Sequence, residues 1–118
     1  MRINHLNLRV ASVARSRDFY VTHFGLAEYV WHGDVLFLRD AAGMDFGLMA
    51  DGPPVPSDTF HFGFRLETPE AVTAAHARLA AAGVSITEPL TDEGDLRYFR
   101  CADPDGYAIE VYWEPQPA

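Results

Sequence analysis

The chain of 118 residues has a single cysteine, Cys101. No intramolecular disulfide can form, so packing alone must hold the fold, as expected in a reducing compartment. Positive charge is scarce: nine Lys and Arg against seventeen Asp and Glu give a formal net charge of -8. That balance argues against nucleic acid or an anionic membrane as partner, since both are bound through basic surfaces. No apolar run approaches the roughly 20 residues of a membrane span. The opening Met1-Arg2-Ile3-Asn4-His5 lacks the apolar core of a signal peptide. The expectation is a cytoplasmic protein with no nucleic-acid and no membrane partner. A chain of this length is one domain, or two small modules sharing a core, and buries about two-thirds of its unfolded surface.

What is present is strong periodicity. Residues 3–10 alternate, with Leu6, Leu8 and Val10 in one set and His5, Asn7 and Arg9 in the other. This predicts a strand with one apolar and one polar face. Residues 12–24 read as a helix with Val13, Tyr20 and Phe24 on its apolar stripe and Gly25 at its end. Short strands are predicted at 26–31, 35–39 and 44–49. Residues 51–58 hold Pro53, Pro54 and Pro56 and read as a linker. Residues 60–66 alternate again, with Phe60, Phe62, Phe64 and Leu66 against His61, Gly63 and Arg65. Thr68-Pro69-Glu70 has the cap, the proline and the first-turn acid of a helix start. Val72, Ala75, Leu79 and Ala82 carry that helix to Gly83. Strands are predicted at 84–87, 96–101 and 107–113, with 88–95 as the longest loop of this half. Cys101 reads as a small apolar filler, His23 as a residue near a helix end and His76 as a helix-surface residue.

The order strand, helix, strand, strand, strand occurs twice, an internal repeat. His5 corresponds to His61, Phe24-Gly25-Leu26 to Ala82-Gly83-Val84, and Asp40-x-x-Gly43 to Asp103-x-x-Gly106. The organisation expected is a first βαβββ module at 1–50, a linker at 51–58 and a second module at 59–118, within one structural domain. In this register Gly47 takes the place of Glu110.

Three residues stand out: His5, His61 and Glu110. Each lies in a strand whose other face is apolar, and the two histidines are equivalent in the repeat. If the halves pack as symmetric sheets, two imidazoles and a carboxylate form a facial triad with open coordination positions. That donor set suits Fe(II), with Mn(II) next. A polar face on an antiparallel strand is also what a solvated sheet presents, so the pattern leaves both readings open. Trp31, Phe37, Met44, Phe46 and Met49 are candidates either for an aromatic pocket or for ordinary core.

The stretches INHLNLRV (3–10), RSRDFYVTHFGL (15–26), FHFGFRL (60–66), RLAAAGV (78–84) and DPDGYAIEVYW (103–113) together resemble the vicinal oxygen chelate superfamily. That superfamily contains glyoxalase I, fosfomycin and bleomycin resistance proteins and extradiol dioxygenases. The resemblance implies an α+β fold, two βαβββ modules forming a cupped, partly open eight-stranded barrel around one divalent metal. It implies metal-binding strand positions at His5, Gly47, His61 and Glu110. Glyoxalase I has a fourth protein ligand where this chain has Gly47, and Asp45 would reach the place only after local rearrangement. The three remaining ligands are similar to those of extradiol dioxygenases and of Mn-dependent fosfomycin resistance transferases. The latter use a basic loop for the phosphonate, whereas 88–95 has no Lys or Arg and contains Asp92, Glu93 and Asp95.

Tyr98 and Arg100 are the candidate catalytic residues, either of them placed to orient or protonate an oxygen of the substrate. The resemblance therefore implies a dioxygenase-like enzyme acting on a small molecule, an aromatic one among the candidates, that chelates the metal through adjacent oxygens. The alternatives are a non-catalytic drug- or natural-product-binding protein and a glyoxalase-like lyase or isomerase. Modules in this superfamily often pair between chains, which implies a homodimer.

Overall fold

The computed structural model describes residues 1–117. The chain forms two compact units, the first Met1–Val55 and the second beginning at Pro56. Each is a βαβββ module. The first contains β1 (His5–Arg9), α1 (Val13–Phe24), β2 (Ala27–His32), β3 (Val35–Arg39) and β4 (Asp45–Met49). The second contains β5 (His61–Arg65), α2 (Pro69–Ala81), β6 (Ile86–Asp92), β7 (Arg97–Ala102) and β8 (Ala108–Trp113). The strands hydrogen-bond as two four-stranded sheets, ordered β1-β4-β3-β2 and β5-β8-β7-β6. The first and last strands of each module pair in parallel and the others antiparallel. The α+β class and the paired βαβββ modules expected from the sequence are present.

The helices begin and end where the local chemistry dictates. The Ser12 hydroxyl accepts the Arg15 N–H at 3.2 Å at the start of α1, and Gly25 closes the helix at φ 68°. The Thr68 hydroxyl accepts the Ala71 N–H at 3.1 Å, with Pro69 in the first turn of α2. One face of each sheet is buried under its helix. Leu8, Val10, Tyr20, Leu36, Leu38, Phe46 and Leu48 are buried in the first unit, and Val72, Leu79, Phe99, Cys101, Ile109 and Val111 in the second. Each such large apolar side chain contributes about 1.5–3 kcal/mol on burial. Tyr20 of α1 meets Phe46 of β4 with ring centroids 4.6 Å apart, so Phe46 is core and not a pocket wall. Ser16 is also fully buried on α1, filling the stripe between Val13 and Tyr20.

The second module departs from expectation at residues 88–95. Most of that stretch is strand: β6 runs to Asp92, and only Asp92–Leu96 turns back. The reason is position. Strand β6 lies at the edge of its sheet, where Pro89 lacks an N–H without breaking a ladder. The pairing register with β7 slips between Ile86 and Glu88 and again between Glu88 and Thr91. His76 also departs from expectation. Its ring packs edge-on against Phe99 with centroids 5.1 Å apart, so it is half-buried rather than on an open helix surface.

Candidate active site

The polar faces of the two sheets are built by strand alternation. In the second unit β5 presents His61, Gly63 and Arg65, and β8 presents Ala108, Glu110 and Tyr112 as their direct partners. Strand β7 adds Tyr98 opposite Tyr112 and Arg100 opposite Glu110. The intervening residues Ile109, Val111, Phe99 and Cys101 are buried on the other face. Glu110 is thus a carboxylate held on the polar face by core residues on both sides of it.

Two of the three expected ligands meet here. His61 Nε2 lies 3.4 Å from Glu110 Oε2. Neighbouring donors on an ion bonded at about 2.1 Å stand roughly 3 Å apart, so this pair fits a divalent cation as two of its ligands. Arg100 Nη2 is also 3.4 Å from His61 Nε2, and Arg100 Nη1 is 3.6 Å from Glu88 Oε1. A guanidinium can only donate. It can meet Nε2 only at its lone pair, the same lone pair that a metal ion on His61 would take in its place. The other candidate, Tyr98, lies on the same polar face beside Arg100, two residues along β7.

His5 belongs to the first unit. It lines a cleft of about 290 Å³ together with Asn4, Asn7, Tyr29, Val30, His32, Phe37 and Asp45. Its Nδ1 is 3.3 Å from Asn4 Oδ1. Among the described residues, no three His, Cys, Asp or Glu side chains are gathered into a set that could hold a metal ion. Asp45 pairs with Arg39 at 2.7 Å, and the Arg39 guanidinium lies 3.4 Å over the Tyr29 ring centroid. The Arg39 hydrogen bond, helped by the positive potential of Arg39, His5 and His32, holds the Asp45 carboxyl below its ordinary value. Asp45 is therefore committed to Arg39 and is not the missing ligand at Gly47. Of the residues considered for an aromatic pocket, Phe37 lines the cleft, with the His32 ring edge-on at 5.7 Å.

The periodicity did not bring out Arg39, Asp45, Tyr29 and His32 as one cluster. They fall within residues 29–45 but on three different strands, and come together through the β2–β3–β4 register, which is irregular at Glu28/Val30. The signal available was the placement of Arg39 and Asp45 on either side of the Asp40-x-x-Gly43 turn.

Comparison with known proteins agrees on the family. A sequence model of the Glyoxalase/Bleomycin resistance protein/Dioxygenase superfamily matches residues 2–111. A manganese-dependent 2,3-dihydroxybiphenyl 1,2-dioxygenase of Geobacillus genomosp. 3 is 26% identical over 96% of this chain. The chain spans 36% of that relative's length. Among solved structures, a possible glyoxalase from Bacillus cereus is 33% identical, covering 94% of this chain and 97% of its own, with a TM-score of 0.78. The fosfomycin resistance protein FosX from Listeria monocytogenes superposes with a TM-score of 0.84 at 20% identity, over 98% of this chain and 94% of its own. That likeness is one of fold.

Proposed function

The chain belongs to the Glyoxalase/Bleomycin resistance protein/Dioxygenase superfamily, and on that premise we propose that it is a metal-dependent, dioxygenase-like enzyme. The substrate is a small molecule with two adjacent oxygens, of which a catechol is the type. His5, His61 and Glu110 are the proposed ligands of a divalent ion, Fe(II) or Mn(II). The observation that carries the reading is the convergence of His61 and Glu110 to 3.4 Å, with a glycine at the repeat-equivalent place in β4. The manganese-dependent dioxygenase at 26% identity keeps Mn(II) beside Fe(II) as a candidate.

When bound, the ion supplies a Lewis acid with open positions for adjacent oxygens and for dioxygen. The chain's own residues do the rest. Arg100 is cationic and lies beside His61 and Glu88, and its guanidinium would pair with an anionic substrate oxygen by a charge-assisted hydrogen bond. The Tyr98 hydroxyl both donates and accepts, and serves to hold or return a proton at a substrate oxygen. In the first unit, Phe37, Tyr29 and Val30 give the cleft beside His5 an apolar wall. The assembly proposed is a homodimer.

The test is reconstitution. Protein purified without oxygen and loaded with Fe(II) or Mn(II) should bind about one ion per chain and convert catechol to a product with the absorbance of an opened ring. Clearly substoichiometric binding of both ions would reject the proposal.

A second reading is favoured by one feature. The first-unit cleft holds an Asp45 carboxylate kept ionised by Arg39 among aromatic side chains, which suits sequestration of a planar, cationic drug or natural product. Binding of such a dye that survives both His5→Ala and His61→Ala would support sequestration. Loss of turnover together with the metal would support catalysis.

A further inference from the structure

The edge strands of the two units share an irregularity. In β6, Ile86 stands opposite Cys101 and Glu88 opposite Arg100, with a register slip between them. Residues two apart on a regular strand share a face. Cys101 is on the buried face of β7, and Arg100 is on the polar one. The slip therefore turns Glu88 away from the face of Ile86 and onto the polar face. In β2 the slip falls between Glu28 and Val30, and it sets Val30 opposite Phe37. Each edge strand thus lends one side chain to its polar face. In the first unit that side chain is apolar; in the second it is a carboxylate.

Glu88, Arg100 and Glu110 form one row across the second sheet, because Arg100 stands directly opposite both carboxylates, one on either side. Opposite charges facing each other across strands attract, so the guanidinium has two carboxylates within its reach. It takes the one at the edge. Arg100 Nη1 is 3.6 Å from Glu88 Oε1, while the ion pair of Glu110 is with His61, at 3.4 Å. Arg100 Nη2 rests 3.4 Å from His61 Nε2. The third nitrogen, Nε, is buried and finds no hydrogen-bond partner among the described residues, so it anchors nothing. Among the described residues, Glu88 is the charged group that holds this cation back from Glu110.

We infer that Glu88 is a positioning residue. By pairing with Arg100 from the sheet edge, it keeps the guanidinium beside His61 and leaves the Glu110 carboxylate open. All four residues lie in the second unit. The bearing of Glu88 on catalysis rests on the roles proposed above for Arg100 and Glu110. Both members of the Glu88–Arg100 pair remain open to water, and such a pair adds little to stability. Its loss should therefore show in where Arg100 goes, not in whether the chain folds.

Glu88→Gln keeps the size of the side chain and removes its charge. In a crystal structure of this variant without metal, Arg100 should lie within about 3 Å of a Glu110 oxygen. Its Tm should stay within about 2 °C of wild type. An Arg100 that keeps its place beside His61 in Glu88→Gln overturns the inference, as does a large fall in Tm, which would make Glu88 a structural residue. Calorimetric titration with Mn(II) gives a second measurement, on wild type, Glu88→Gln, Arg100→Gln and the double variant. A guanidinium closed on Glu110 competes with a cation there, so Glu88→Gln should bind Mn(II) at least roughly tenfold more weakly than wild type. Arg100→Gln should change the affinity little in wild type and raise it at least roughly tenfold in the Glu88→Gln background. Equal effects in both backgrounds mean that the two charges act independently, and overturn the inference. Wild type that binds no Mn(II) overturns the metal reading alone; the place of Arg100 in Glu88→Gln then decides the role of Glu88.

Discussion

At the scale of single residues, two side chains have chemistry set by their surroundings. Cys101 is fully buried on the core face of β7, and burial, with the nearby Asp103 carboxylate adding to it, pushes its thiol up to about 12. A thiolate is the reactive form. Cys101 should therefore be inert to a chromogenic disulfide reagent in the native protein and react fully in guanidinium; fast labelling without denaturant would contradict its placement. Asp45 shows the opposite effect. Its hydrogen bond from Arg39 lowers the carboxyl below the usual 3.8. A carboxylate depressed in the folded state adds stability at pH values above its unfolded value, and that stability is lost as pH falls through the folded one. Asp45→Asn should therefore have a lower Tm than wild type at neutral pH, and the difference should close as the pH drops below 3.8. A gap that stays constant through that range would show that Asp45 does not stabilise the fold as an ion.

At the scale of elements, the repeated Asp-x-x-Gly turns carry much of the local order. Asp103 Oδ1 accepts the N–H groups of Asp105 at 2.8 Å and Tyr107 at 2.9 Å, leading directly into β8. Asp40 Oδ1 does the same for Ala42 at 2.9 Å and Met44 at 2.8 Å, leading into β4. Asp103 is only 5% exposed, so Asp103→Ala takes the acceptor from two N–H groups, that of Tyr107 buried, and should cost about 1–3 kcal/mol in a denaturant titration. Asp40→Ala, whose loop is more open, should cost less; equal costs would show that burial is not what decides the difference. These turns, the Thr68 cap, the Gly25 helix end and the alternating strands were legible in the sequence because each depends on neighbours a few residues apart. Strand β6 was not. Pro89 and the acids around it have the composition of a loop, and only the edge position, set by distant pairing with β7, lets them be a strand. The same distinction holds at the candidate site. His61, Gly63 and Glu110 followed from alternation within their own strands. That Glu88 stands opposite Arg100 depends on where the pairing of β6 and β7 slips, and periodicity within one strand does not contain that register.

At the scale of the whole molecule, the chain is two βαβββ units of one superfamily. Large apolar side chains remain exposed on it, among them Ile3, Tyr29, Trp31, Val55 and Phe60. Apolar residues exposed singly are ordinary on a protein surface, and a contact is marked only where they adjoin, so the proposed homodimer has to be tested directly. Light scattering at micromolar concentration should report twice the 13.1 kDa chain mass, and replacing Trp31 and Phe60 by serine should shift the population towards monomer. A wild-type protein that stays monomeric would remove the homodimer from the proposal. The two central strand pairs also exchange their glycine: Gly47 of β4 stands beside Asn7 of β1, whereas Gly63 of β5 stands beside Glu110 of β8. The repeat is thus one of backbone and core, while the polar faces of the two units differ in which strand extends a side chain and in the charge that side chain has.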